Sequence, residues 1–317
     1  MKKVLFFAAA VLALAACSNE EENANDNWNG EIRLTTQHLR VTRASSEIQN
    51  TQFDANEKID IFIYNHADGE GYETLPAVYT ADGNGNLTTN PVQQFPAGAD
   101  SQIDLYGVYP SGIATPSDTA GIAFTVQLDQ STEAGYKASD LMLGGNLEGR
   151  LYQPITRTND PVLLTFVHKL SKIILRVVPG VGLSDTSFEG ATASINNVLV
   201  TTRFNISNIQ LPMYYSAEGD PNTINMGSLE AVGDGTTGTL YRACAIIVPQ
   251  EFEGGTQLFT INLNGRSFTY TTTPDYWLTF ESGRTYEFTI TANVWGLSLS
   301  TVIQDWETGQ TITGQTD

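Results

Sequence analysis

Cysteine occurs twice in 317 residues, histidine three times, and lysine plus arginine 16 times against 35 acidic residues. Each shortage excludes something. With Cys17 at the end of an N-terminal processing signal, Cys244 has no partner within the chain, so no intramolecular disulfide can hold the fold and packing must do so. A net charge of −19 is the wrong sign for nucleic acid and for adsorption to anionic lipid. His38, His66 and His168 are scattered, with no neighbour at metal-ligand or nucleophile–base spacing, and no Gly-rich loop leads from a strand into a helix. No catalytic residue, metal site or cofactor is therefore expected, and the chain does not read as an enzyme. Asp82-Gly83-Asn84-Gly85-Asn86 opens like a calcium loop, but Leu87 stands where glycine is needed and Gln93 where a bidentate Glu belongs. A hairpin turn is the expectation there.

The long apolar run comes at the start. Lys2 and Lys3 precede an apolar stretch over residues 4–14 and small residues before Cys17, so residues 1–17 read as a signal peptide too short to span a bilayer. Leu14-Ala15-Ala16-Cys17 resembles the lipobox of bacterial lipoproteins, which makes Cys17 the expected lipidation site, attached to outer-membrane lipid, and the N-terminus after processing. Ser18-Asn19-Glu20-Glu21-Glu22 resembles the acidic surface-export tag of Bacteroidota lipoproteins. As plain chemistry it is a solvated linker, because residues 18–29 carry too little apolar surface to fold.

Beyond the linker, helical periodicity is nearly absent, whereas period-two runs of Val, Ile, Thr, Tyr and Phe recur between turn residues. The fold class is all-β, and the length suits two cores in an elongated chain. Over 285–294, Tyr286, Phe288, Ile290, Ala292 and Val294 share one face and Thr285, Glu287, Thr289 and Thr291 the other, predicting a strand with one packed and one wet side. Segments 257–263 and 266–271 flank Asn264-Gly265, the pair that favours the two positive φ angles of a type I′ turn, and predict a tight hairpin. Further strands are expected over 58–64, 103–109, 123–128, 194–200, 203–209 and 241–248. In 162–178 the alternation changes phase near Ser171, which predicts a bulge or bend. The expected division is a linker and strand over 18–43, a first β-sandwich over 44–160 and a second over 161–317.

Three sets of residues carry a family resemblance: Lys137-Ala138-Ser139-Asp140-Leu141-Met142, the stretch from Val162 to Ile173, and Phe280-Glu281-Ser282-Gly283-Arg284-Thr285-Tyr286 followed by Ile303-Gln304-Asp305-Trp306. With the lipobox, their order resembles the fimbrillin family of Bacteroidota, the subunits of type V pili and their tip proteins. The resemblance implies two tandem transthyretin-like β-sandwiches and a cell-surface life that begins as an outer-membrane lipoprotein precursor and ends in a fimbrium. It also implies that an arginine- or lysine-specific protease removes an N-terminal strand outside the cell and that the subunits polymerise by strand exchange, with other fimbrillin subunits as partners.

The cut would fall between Arg43 and Ala44, with Arg40 the alternative, after the alternating segment 31–41. A C-terminal donor strand over 297–304 would present Leu297, Leu299 and Ile303 on one face. Asp118-Thr119-Ala120 matches the short pattern of periplasmic O-glycosylation in that phylum, making Thr119 a candidate glycan site. The subunit could be stalk or tip. The alternative is a monomeric surface lipoprotein that binds a host protein or glycan; Tyr214, Tyr215, Tyr276 and Trp277 would stack on sugar rings if exposed, with core or hinge packing the favoured reading of these aromatics.

Overall fold

The computed structural model describes residues 28–38, 52–67, 75–113, 121–148, 151–209, 217–233, 239–275, 277–305 and 312–315, with side chains up to residue 298. Across these the protein is all-β, with α1 (Glu133–Ala138) and a short 3-10 turn at Asp185–Phe188 as its helical pieces.

In the first half the strands are β1 (Leu34–His38), β2 (Lys58–Asn65), β3 (Ala77–Ala81), β4 (Asn86–Thr88), β5 (Gln102–Tyr109), β6 (Ile122–Thr125), β7 (Met142–Gly145), β8 (Leu147–Glu148), β9 (Leu151–Tyr152), β10 (Ile155–Thr156) and β11 (Val162–His168). One sheet runs β5-β2-β3-β4-β1-β11-β7, and β7 pairs back to β5, so the sheet closes on itself. Closure removes the exposed edges that an open sheet would carry. Its inward residues form one core around Ile59, Ile61, Tyr79, Leu105, Leu164 and Phe166. The Phe166 ring lies over Gly107 and Gly144, which face each other across β5 and β7. A Cβ at either glycine would come within 2.5 or 2.6 Å of that ring, so the closure depends on both being glycine.

The second half contains β12 (Ser171–Pro179), β13 (Thr192–Val198), β14 (Thr201–Phe204), β15 (Asn222–Ser228), β16 (Glu230–Gly233), β17 (Thr239–Ile247), β18 (Gln250–Phe252), β19 (Gln257–Leu263), β20 (Arg266–Thr271), β21 (Leu278–Phe280), β22 (Arg284–Asn293), β23 (Gly296–Asp305) and β24 (Ile312–Gln315). A six-stranded sheet, β16-β17-β12-β22-β23-β24, packs on a four-stranded one, β15-β13-β19-β20, through contacts such as Phe288 on Phe259 with ring centroids 5.0 Å apart. This is a β-sandwich. The hairpin of β19 and β20 turns at Asn264 (φ 50°) and Gly265 (φ 74°), as a type I′ turn requires.

Several sequence expectations are modified. The phase change in 162–178 is not a bulge within one strand: β11 belongs to the first sheet and β12 to the six-stranded one, and the chain crosses between them at Lys169-Leu170. The expected division was after residue 160, whereas the sheets change at Lys169-Leu170. Ile122, Phe124 and Val126 also join the second core, because β6 pairs with β14. The strand expected over 203–209 ends at Phe204. β22 is not wet on one side: Thr285 and Glu287 are buried, since the strand lies between β12 and β23, and Arg176 meets the Glu287 carboxylate at 2.9 Å.

Candidate functional site

Strand β1 is the first strand of the described residues and is bonded along both of its edges. Its residues alternate as the sequence pattern requires, with Ile32, Leu34, Thr36 and His38 buried and Arg33 and Gln37 exposed. It lies parallel to β11, from Leu34 opposite Val162 to His38 opposite Phe166, and antiparallel to β4. Ladder bonds continue on both sides: Val162 N–H donates to Arg33 O (2.8 Å), Thr36 N–H to Gly85 O (2.7 Å) and Ile32 N–H to Gln93 O (2.8 Å).

Side chains reinforce the seat. Thr36 Oγ1 also donates to Gly85 O (3.3 Å), and Gln37 Nε2 donates to Thr165 Oγ1 (3.0 Å). The His38 ring packs on Phe53, with centroids 4.5 Å apart, and on Phe166 and His168 at 6.4 and 6.1 Å. At the other end Trp28 meets Phe95 edge-on, and the Arg157 guanidinium lies 4.8 Å over its ring. Burying Ile32 and Leu34 stabilises the docked strand by about 2 kcal/mol each. Taking β1 away would leave an apolar slot between β4 and β11 with unpaired backbone groups on both walls.

The slot ends at a junction that joins all three segments on which the family resemblance rests. His168 Nδ1 and Asp140 Oδ1 form a buried bond of 2.7 Å, and Lys169 N–H donates to Leu141 O (2.9 Å). Ser282 Oγ donates to Lys169 O (2.7 Å), Ser171 Oγ to Glu281 O (2.8 Å), and Gly283 N–H to Leu170 O (3.0 Å). Lys169 Nζ is inside the protein and donates to the carbonyls of Asn208 (3.0 Å) and Ile209, while burial brings its pKa down to about 8. Sequence reading found no neighbour for His168 at a ligand or nucleophile–base spacing, and it missed Asp140 as its partner. The pairing spans 28 residues, and no local pattern announces it.

A second tie crosses the halves at Gln130, whose Oε1 accepts from Ile246 N–H (2.7 Å) and whose Nε2 donates to Ile246 O (2.8 Å). The Asp82 turn serves β3 and β4: its carboxylate accepts from Asn84 N–H (2.7 Å) and Asn86 N–H (3.0 Å), and the Asn86 side-chain bond leads the causes that lower its pKa. Among the described residues no group of three or more His, Cys, Asp or Glu is placed to hold a metal.

Of the site residues expected from sequence, Cys17, Arg40, Arg43, Ala44 and Thr119 lie outside the described residues, as do Tyr214, Tyr215 and Tyr276. Trp277 is exposed. Leu297, Leu299 and Ile303 all fall on β23, whose backbone pairs antiparallel with β22, opposite Ala292, Ile290 and Tyr286 respectively. Residues 312–315 pair in turn with β23. The segment expected to serve as donor is thus held by its own chain along ten residues in this subunit.

The overall fold is shared with known proteins. Two solved structures described as "putative cell adhesion protein" have the same fold. One, from Bacteroides ovatus, is 15% identical with a TM-score of 0.64 over 88% of this chain and 99% of the other. One from Bacteroides uniformis is 22% identical with a TM-score of 0.60 over 87% and 98%. A curated relative named "Putative fimbrium subunit Fim1C", from Bacteroides uniformis, is 29% identical over 98% of this chain and 97% of its own length. The profile of the family described as Fimbrillin-like matches residues 42–306, and the chain belongs to that family.

Proposed function

We propose that the protein is a structural subunit, stalk or tip, of a cell-surface fimbrium that serves adhesion, and that it assembles by exchanging β1 for a strand of a neighbouring subunit. The chain travels as a precursor lipidated at Cys17, a protease cuts after Arg43, and the released N-terminal piece takes β1 and the lipid with it. Its partners are other fimbrillin subunits. One observation carries this reading. β1 is a strand bonded on both edges, with Leu34, Thr36 and His38 buried and Ile32 buried just before it, and it lies between the acidic linker and the basic segment Leu39-Arg40-Val41-Thr42-Arg43. A strand so placed leaves as a unit after one cut, and the slot it vacates offers backbone bonds and an apolar floor together. The family match beginning at residue 42 and the fimbrium relative support the same reading.

A second reading is favoured by the pairing of β23 with β22, which suits a tip subunit or a monomeric surface adhesin that retains its tail. Deleting residues 297–317 separates the two. Strand donation predicts a soluble monomer that melts cooperatively and no longer polymerises. A tail that belongs permanently to the second sandwich predicts insoluble or molten protein. Polymers that persist without it would remove it as donor.

A further inference from the structure

We propose that β20 is a lateral association edge, pairing antiparallel with β20 of a second copy of this chain across a two-fold axis at Thr269. The contact needs neither cleavage nor exchange of β1.

The four-stranded sheet has two edges, and they are finished differently. Along β15, Asn225 N–H donates to Leu128 O (2.7 Å) and Gln130 N–H donates to Asn225 O (2.9 Å), so the segment before α1 covers that edge. β20, at the other edge, is bonded to β19 alone among the described residues. The tight turn at Asn264-Gly265 fixes which backbone groups are left over. Leu263 and Arg266 flank it as a hydrogen-bonded pair, so by alternation Arg266, Phe268 and Tyr270 turn their backbone groups to β19, and Ser267, Thr269 and Thr271 turn theirs outward. The alternation continues to Thr272, whose N–H returns to Thr256 O (2.8 Å). Ser267, Thr269 and Thr271 are all exposed.

An open edge of this kind is a template for another strand unless lysine, proline or a bulge spoils it. β20 reads Arg-Ser-Phe-Thr-Tyr-Thr, with its one charge at the turn end.

The strand is complementary to itself. About an axis at Thr269, Ser267 falls opposite Thr271 of the other copy and Thr269 opposite its own image, which makes three hydrogen-bonded pairs and about six backbone bonds. Phe268 falls opposite Tyr270 twice, at the sites where facing side chains approach most closely. Both rings are half-buried on the second core in the single subunit, and each pair covers the remainder. Arg266 falls opposite Thr272, whose hydroxyl donates to Glu253 O (3.1 Å), so the guanidinium of each copy comes beside the exposed Glu253 of the other. That local attraction opposes the general repulsion between chains of net charge −19. An axis at Phe268 instead would run Thr271 past the end of the partner strand onto Gly265 and part Arg266 from Glu253.

Cysteine crosslinking tests the pairing. The full-length chain carrying Cys244→Ala and Thr269→Cys is purified in detergent and mildly oxidised. Facing residues of a hydrogen-bonded pair have Cα atoms about 5.5 Å apart, within disulfide reach, whereas Ser267 would lie about 13 Å along the strand from its own image. Thr260→Cys with Thr269→Cys, which face each other on β19 and β20, calibrates the chemistry within one chain. The expected result is a reducible dimer from Thr269→Cys, none from Ser267→Cys alone, and a mixed dimer when Ser267→Cys and Thr271→Cys chains are combined. Arg266→Glu should lower the Thr269→Cys yield about tenfold, and Glu253→Lys added to it should restore the yield. Absence of the Thr269→Cys dimer while the Thr260 pair closes would overturn the proposal, as would a dimer formed equally well by Ser267→Cys alone. Either failure leaves the exchange of β1 untouched.

Discussion

Replacing Gly144 by alanine should damage the first half out of proportion to the size of a methyl group. The new Cβ would sit 2.6 Å from Cε1 and Cζ of Phe166, a side chain that is itself fully buried and pressed on Gly107 from the same side. Neither ring nor methyl can retreat, because β7 is bonded to both β5 and β11 at this level, with Gly144 opposite Gly107 and Phe166. Overpacking of this kind costs about 1–3 kcal/mol. Phe166→Ala alone should cost about 3–5 kcal/mol through loss of burial and the cavity left behind. In that background the ring is gone, and Gly144→Ala should become neutral or stabilise by about 0.4–1 kcal/mol through the unfolded chain. Urea unfolding of the four proteins closes a double-mutant cycle with a coupling of about 1–4 kcal/mol, the cost of about 1–3 kcal/mol plus the gain of about 0–1 kcal/mol. A Gly144→Ala cost that is the same in both backgrounds would refute the packing argument.

Three further outcomes follow from particular contacts. Gln130→Leu leaves the N–H and carbonyl of Ile246 unpaired in the second core, and calorimetry should show a loss of about 2–3 kcal/mol; an unchanged melting temperature would contradict it. Lys169 and Lys172 are both held at about 8 by burial, against about 10.4 in the unfolded chain. Between those values the unfolded state binds protons that the folded state does not, so stability should rise with pH across that window, by at most ~3 kcal/mol per lysine, and be flat below it. Urea midpoints at pH 7.5, 8.5 and 9.5 measure the rise, and Lys169→Met should reduce its slope; a falling midpoint would contradict the assignment. Asp140→Ala should cost about 1–3 kcal/mol by leaving the buried His168 without its 2.7 Å partner, as read by the same urea melts; a variant as stable as the parent would show that this bond does not secure the junction.

Local signals in the sequence translated well. Asn264-Gly265 specified its hairpin because two positive φ angles leave few other residues available, and the face of β22 carrying Tyr286, Phe288, Ile290 and Ala292 was visible as alternation. What could not be read is long-range. β1 was visible as an alternating strand, but its parallel partner β11 lies about 128 residues away, and nothing local says that it closes a sheet. The burial of Glu287 was hidden for the same reason: period two marks the more apolar face, while covering the other depends on neighbours and on Arg176. The family segments at 137–142, 162–173 and 280–286 looked like separate motifs, yet they meet as one set of bonds around Lys169-Leu170. The tail was legible as an amphipathic strand, but not its pairing with β22, because either side of a strand can bond.

The central claim is that β1 is a placeholder that the assembled protein no longer contains. Fimbriae sheared from cells and separated from membranes can be subjected to N-terminal sequencing and intact-mass measurement. The account predicts chains that begin at Ala44, without lipid and without residues 34–38. Assembled chains that still begin at a lipidated Cys17 would contradict it.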